Sequence, residues 1–167
     1  EWIISEYGDP AIKIETPRVL KRVVDERVQQ NLPPTVKSIS RFTYGSLIDN
    51  FSITLNTTPF KDSVALDKDV AIEADIKYLE SVRAKNILVK VGDYEPTKEL
   101  TGKKAYGTFT ALNPSDNKEY KMAYEIVIFA QAKSAQEFFL IYKDGDKDAE
   151  KMMERVRNSI ELKKSSL

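Results

Sequence analysis

Residues 120–142, YKMAYEIVIFAQAKSAQEFFLIY, decide how this chain is read. The stretch first alternates polar and apolar side chains, as a half-buried strand does. It then turns continuously apolar at Ile126-Val127-Ile128-Phe129. A polar break over about 131–136 reads as a turn, and Phe138-Phe139-Leu140-Ile141-Tyr142 is again unbroken. Runs of this kind belong to strands covered on both faces. Just upstream, 104–112 places Ala105, Gly107, Phe109 and Ala111 on one face. Asn113-Pro114-Ser115-Asp116-Asn117 then supplies strong turn chemistry. Neighbouring strands usually pair, so three antiparallel strands are expected here.

The rest of the chain is read outward from these strands. Asp144-Gly145-Asp146 breaks the last one, and Asp146 is the N-cap expected for a helix over 146–163. Ala149, Met153, Val156 and Ile160 form its apolar stripe, with Met152 beside it. Acids stand early in this helix, and Arg155, Arg157, Lys163 and Lys164 stand late, which suits the helix dipole. Asp67 caps a second predicted helix over 68–84, with Ile72, Ile76 and Leu79 as its stripe and Val82 at the margin. Residues 10–15, 40–44, 51–55 and 87–91 read as further strands, and 45–50 as the hairpin loop joining the middle two. In the second of that pair, Phe51, Ile53 and Leu55 face one way, and Ser52 and Thr54 the other. Segment 18–30 fits either a helix, through the spacing of Leu20, Val23, Val24 and Val28, or a strand, through its valines. Leu32-Pro33-Pro34 ends it either way. No repeat or linker divides the chain, so 1–167 is expected to be a single domain.

Composition removes whole classes of chemistry. There is no cysteine and no histidine, which excludes thiol catalysis, thiolate metal sites, disulfides and imidazole bases. Basic and acidic residues number 26 each. The balance is also local, so no segment carries the basic excess of a nucleic-acid binder. No apolar run approaches the ~20 residues of a membrane-spanning helix.

Few motifs survive inspection. Asp144-Gly145-Asp146-Lys147-Asp148 copies the start of a calcium loop. Ala149 then stands where that loop needs glycine, and Arg155 where it needs a bidentate acid, so a capped strand-to-helix turn is expected instead. Ser115-Asp116-Asn117-Lys118 overlaps two penicillin-enzyme patterns inside one turn, where their groups cannot converge. Gly102-Lys103-Lys104 lacks the upstream glycine of a phosphate loop and reads as a turn. Asn50-Phe51-Ser52 and Asn56-Thr57-Thr58 are sequons, meaningful only in a eukaryotic secretory pathway. The carboxylates are scattered among lysines, with no two paired by the sequence for acid–base work. No catalytic, cofactor-binding or metal-binding residue is therefore expected. Tyr106, Tyr120 and Tyr124, on adjacent predicted strands, are the candidate partner-binding patch.

Residues 102–109 (GKKAYGTF), 118–129 (KEYKMAYEIVIF), 138–142 (FFLIY) and the helix over 146–161 resemble the closing half of PsbP-like domains. The opening strand with Pro17, the strand pair around Tyr44 and Phe51, and the helix after Asp67 follow the same order. The resemblance implies an α+β fold. Its form would be an α/β/α sandwich with a central, mainly antiparallel sheet and helices on both faces. Members include extrinsic proteins of photosystem II, a nuclear Ran-binding protein, bacterial lipoproteins, and adaptors or chaperones of secretion systems. Most bind other proteins. The group shares no site motif, so no functional residue carries over, and the fold alone does not fix a function.

The expectation drawn from all this is a non-catalytic protein-interaction or scaffold module of the bacterial cell envelope. It would act on a protein partner, with no nucleic acid and no cofactor. The alternatives are an extracytoplasmic binder of small molecules or lipids, and a secretion adaptor or chaperone. Glu1 as the first residue and the missing cysteine point to an extracytoplasmic, periplasmic setting after signal removal, where an upstream lipidated cysteine would make a lipoprotein.

Overall fold

The computed structural model describes residues 1–46, 49–97 and 100–162. The order is β1 (Ile3–Tyr7), β2 (Ile12–Thr16), β3 (Lys21–Val23), α1 (Glu26–Gln30), β4 (Ser40–Tyr44), β5 (Phe51–Pro59) and α2 (Lys68–Ser81). There follow β6 (Lys85–Thr97), β7 (Leu100–Asn113), β8 (Lys118–Gln131), β9 (Ser134–Lys143), α3 (Lys147–Asn158) and β10 (Glu161–Leu162). Seven strands form one antiparallel sheet in the order β3-β4-β5-β9-β8-β7-β6, and β1-β2-β10 form a second, small sheet.

The two unbroken apolar runs lie at the centre of the large sheet, as two-sided strands must. Val127, Phe129, Phe138 and Leu140 face one side, where Met153 and Val156 of α3 meet Ile12 and Ile14 of the small sheet. Ile126, Ile128, Phe139 and Ile141 face the other side, where Ile72 and Leu79 of α2 cover them with Phe109 and Tyr124. Asp67 caps α2 by accepting from the amides of Asp69 and Val70 at 3.0 and 3.3 Å. Asp146 caps α3 by accepting from the Ala149 amide at 3.1 Å.

The expected α/β/α sandwich is corrected by these layers. The chain is mostly β, with 52% of residues in strands and 20% in helix. The cause is width. Seven strands span about 29 Å at ~4.8 Å per strand, whereas a helix with its side chains is only about 10 Å across. A single long helix therefore cannot make a layer. On one face the small sheet shares the cover with α3; on the other α2 stands alone and leaves the β3-β4-β5 side open. The strands also run longer than read. The strand expected at 87–91 extends over Lys85–Thr97, and that at 104–112 over Leu100–Asn113. Gly102-Lys103-Lys104, read as a turn, lies inside β7.

Segment 18–30 is both of its alternatives in succession: the short edge strand β3, then the single turn α1, which buries nothing. The last helix stops at Asn158, and the chain returns to the small sheet as β10. Lys163, Lys164 and positions 47–48 of the predicted hairpin loop lie outside the described residues.

Gly107 has a specific task. Tyr124 on β8 stands opposite it, and the Tyr124 hydroxyl passes on to donate to the Leu88 carbonyl of β6 at 2.9 Å. Burial pushes this phenol up to about 12, so it stays a donor. Tyr124→Phe is expected to cost about 1 kcal/mol, because a partly buried carbonyl loses its donor. Urea denaturation should show it as a lower midpoint at unchanged slope.

Candidate functional site

The uncovered part of the α2 face forms a half-open cleft of about 480 Å³. That is within the range of small-molecule sites, roughly 300–1,000 Å³. Its floor follows from strand register. Antiparallel pairing aligns Arg41 of β4 with Asn56 of β5, and Asn56 with Glu137 of β9. One step along, Thr43 meets Thr54, whose hydroxyls bond at 3.0 Å, and Thr54 meets Phe139. The roof is α2, which contributes Asp75, Tyr78 and Leu79, together with its C-cap Val82. Val23 of β3 closes one side.

The polar groups on the floor are chained together. Arg41 Nε donates to Asn56 Oδ1 at 3.1 Å. Asn56 bonds Glu137, and Glu137 shares a hydrogen bond with Asp75 above it. Two carboxylates in hydrogen-bond contact need a proton between them. Burial, then the charge of Glu137 and the hydrogen bond with it, pushes the Asp75 carboxyl up to about 8; Arg41 opposes this. Burial also raises Glu137, against the hydrogen bonds of Asn56 and Asp75 and the charge of Arg41. The buried Asp75 Oδ2 has no protein N–H to accept from, which agrees with a carboxyl that carries the proton itself. Near neutral pH the pair holds one proton and one negative charge. It can pass that proton, or release it to take a cation.

No family model matches the chain, and no curated protein matches it. The PsbP-like resemblance therefore rests on sequence pattern alone, and the cleft must be read from its own chemistry.

The tyrosines read as a patch from the sequence do not form one surface. Tyr124 is 2% exposed and packs with Phe109 in the core under α2. Tyr120 is on the same face, its hydroxyl on Asp116 at 2.5 Å and the Lys143 ammonium 4.7 Å from its ring centre. Tyr106 alternates with the core residues Ala105 and Phe109, so it projects from the opposite face, 43% exposed, under the Lys104 ammonium. Adjacent strands were the right context; the parity of the register sets Tyr106 apart from the other two, and burial takes Tyr124 out of reach.

The other motif residues have structural occupations. Asp144 pairs with Lys121 at 3.6 Å, while Asp146 caps α3. Asp116 accepts from the Lys118 amide at 3.0 Å within the β7–β8 turn. Asn56, the second sequon, is buried and bonded to Arg41. Among the described residues no three carboxylates cluster as a metal site would require.

Arg41, Asp75 and Glu137 were not singled out from the sequence, and Asn56 was noticed only as a sequon. One signal was present. Asp75 lies three residues after Ile72 and four before Leu79, so an acid interrupts the apolar stripe of α2. Likewise Glu137 adjoins an apolar run whose centre is two-sided core.

Proposed function

We propose that the protein binds a small ligand in the cleft between α2 and the β4-β5-β9 surface. The observation that carries this reading is the convergence of one arginine and a proton-sharing acid pair, Glu137 on the floor and Asp75 on the roof, in a preformed, largely apolar-walled cleft. Polar groups this closely placed, in a concavity of this size, mark ligand sites more often than filled core. The reading reverses the order expected from the sequence, because the apolar side chains leave this face open. The cysteine-free composition supports an extracytoplasmic setting for such a binder. Among the described residues no helix is long and apolar enough to cross a membrane.

Thermal-shift screening of a metabolite library against wild type and Thr54→Trp tests the proposal. An indole at Thr54 fills the cleft without touching the core on the far face. A ligand at about a hundredfold over its Kd should stabilise wild type by about 2.7 kcal/mol, or roughly 5–10 °C, and leave Thr54→Trp unshifted. A ligand that shifts both proteins equally binds elsewhere and refutes the reading. Recovery of a chemically altered ligand would make the cleft an active site.

A protein-interaction role is favoured by a different observation. β6 ends the large sheet and exposes Leu88, Val89 and Val91. An exposed, valine-rich edge can accept a strand from a partner. A partner captured by wild type and lost with Val89→Lys, but retained by Thr54→Trp, would support this second reading.

A further inference from the structure

We propose, resting on the cleft as the ligand site, that its ligand is a zwitterion of the amino-acid class with an apolar side chain. Arg41 would take its carboxylate, the Asp75–Glu137 pair its ammonium, and Leu79, Val82 and Phe139 its side chain.

The charges set this choice. Arg41 faces the cleft from β4 and Glu137 from β9, while Asp75 faces it from α2. The remaining lining from β3 and β5 is uncharged: Val23, Ser52, Thr54 and Asn56. Arg41 commits Nε to Asn56 and, although Asp75 and Glu137 feel its charge, forms no close salt bridge among the described residues, so its terminal nitrogens remain for a planar, bidentate acceptor. An anion alone would satisfy Arg41 but lie against the acid pair. A cation alone would satisfy the pair but lie against Arg41. A ligand carrying both charges answers both, and the row Arg41-Asn56-Glu137 spaces the two poles across three adjacent strands, roughly 10 Å at ~4.8 Å per strand. The apolar half of the cleft is left for a hydrocarbon group.

A proton linkage follows. The proton shared by Asp75 and Glu137 occupies the place where an ammonium would donate, so ligand binding near neutral pH must expel it to solvent. Affinity should therefore rise with pH up to about 8, where Asp75 loses the proton unaided.

Isothermal titration of wild type with leucine, isoleucine, methionine and phenylalanine, and with the N-acetyl and amide derivatives of each, tests the assignment. At least one free amino acid should bind. Its N-acetyl form, which lacks the ammonium, and its amide, which lacks the carboxylate, should each bind on the order of tenfold to a hundredfold more weakly. Repeating the titration in buffers of different ionisation enthalpy should reveal release of about one proton. In Arg41→Gln the preference for the free carboxylate should vanish, whereas the preference for the ammonium stays. The derivative series is read on wild type, so it decides even where a variant fails to fold. Equal binding of a blocked and a free form overturns the assignment, as does binding by none of these amino acids. A singly charged or neutral ligand displaced by Thr54→Trp would also overturn the zwitterion while leaving the cleft as the ligand site.

Discussion

As pH rises from 3.8 to about 8, the wild-type protein is expected to lose a few kcal/mol of stability that the Asp75→Asn variant keeps. The sign follows from the direction of the shift. Asp75 binds its proton more tightly folded than unfolded, so over this interval the native state holds more protons than the unfolded chain. Each step up in pH then favours unfolding. The contribution is fully present below 3.8 and is gone once pH passes about 8, where the folded protein must carry two buried negative charges side by side. Asparagine keeps the shape and can donate an N–H to Glu137 at every pH. Denaturant unfolding across the pH series, with wild type and variant compared at each point, isolates the pair from other titrating groups. The variant should match or exceed wild type on the alkaline side. Parallel curves would show that the two carboxylates do not share a proton.

Gly107→Ala is expected to cost about 3 kcal/mol, the upper end for overpacking a closed structure. A methyl at this position would be 1.9 Å from the Leu88 carbonyl oxygen and 2.8 Å from its carbon. Both are backbone atoms of the edge strand, so β6 must move away from β7 to make room. That movement also pulls Leu88 from the Tyr124 hydroxyl. Hydrogen exchange should locate the loss in the amides pairing β6 with β7, with the centre of the sheet still protected. Gly92→Ala, on β6 itself, is the control. Nothing is within 4 Å of a methyl there, and the change should be within about 0.5 kcal/mol. A similar cost at both glycines would refute the close approach at Gly107.

Both predictions concern parts of the molecule that the sequence disclosed unequally. The central parts of the strands from 100 to 143 were legible because their signals are local, although the turns read at 102–104 and 131–136 overlap β7, β8 and β9. Alternation, two-sided apolar runs and the turn at Asn113–Asn117 each span a few residues, and adjacent antiparallel strands need only a tight connection. The caps Asp67 and Asp146 were legible for the same reason, since a cap reaches only two or three residues ahead. Asp75, an acid inside an apolar stripe, and Glu137, beside an apolar run, each left a local signal, but nothing local showed that the two would meet.

Layering and the site depended on contacts between distant segments. The resemblance to PsbP-like domains implied two helical layers, but whether a helix covers a face depends on the number of strands beneath it, and that number was set when β5 paired with β9 across the whole β6–β8 excursion. The same pairing brought Asn56 beside Glu137, some eighty residues later, and β4 then added Arg41. A shift of one residue in either register would turn these side chains into the opposite face and abolish the cleft. By itself the sequence determined the central strands, the caps and the chemistry denied to a chain without cysteine or histidine. Only the tertiary structure decided that two acids and an arginine share one open face, because register and layer width are properties of paired strands and not of any single one.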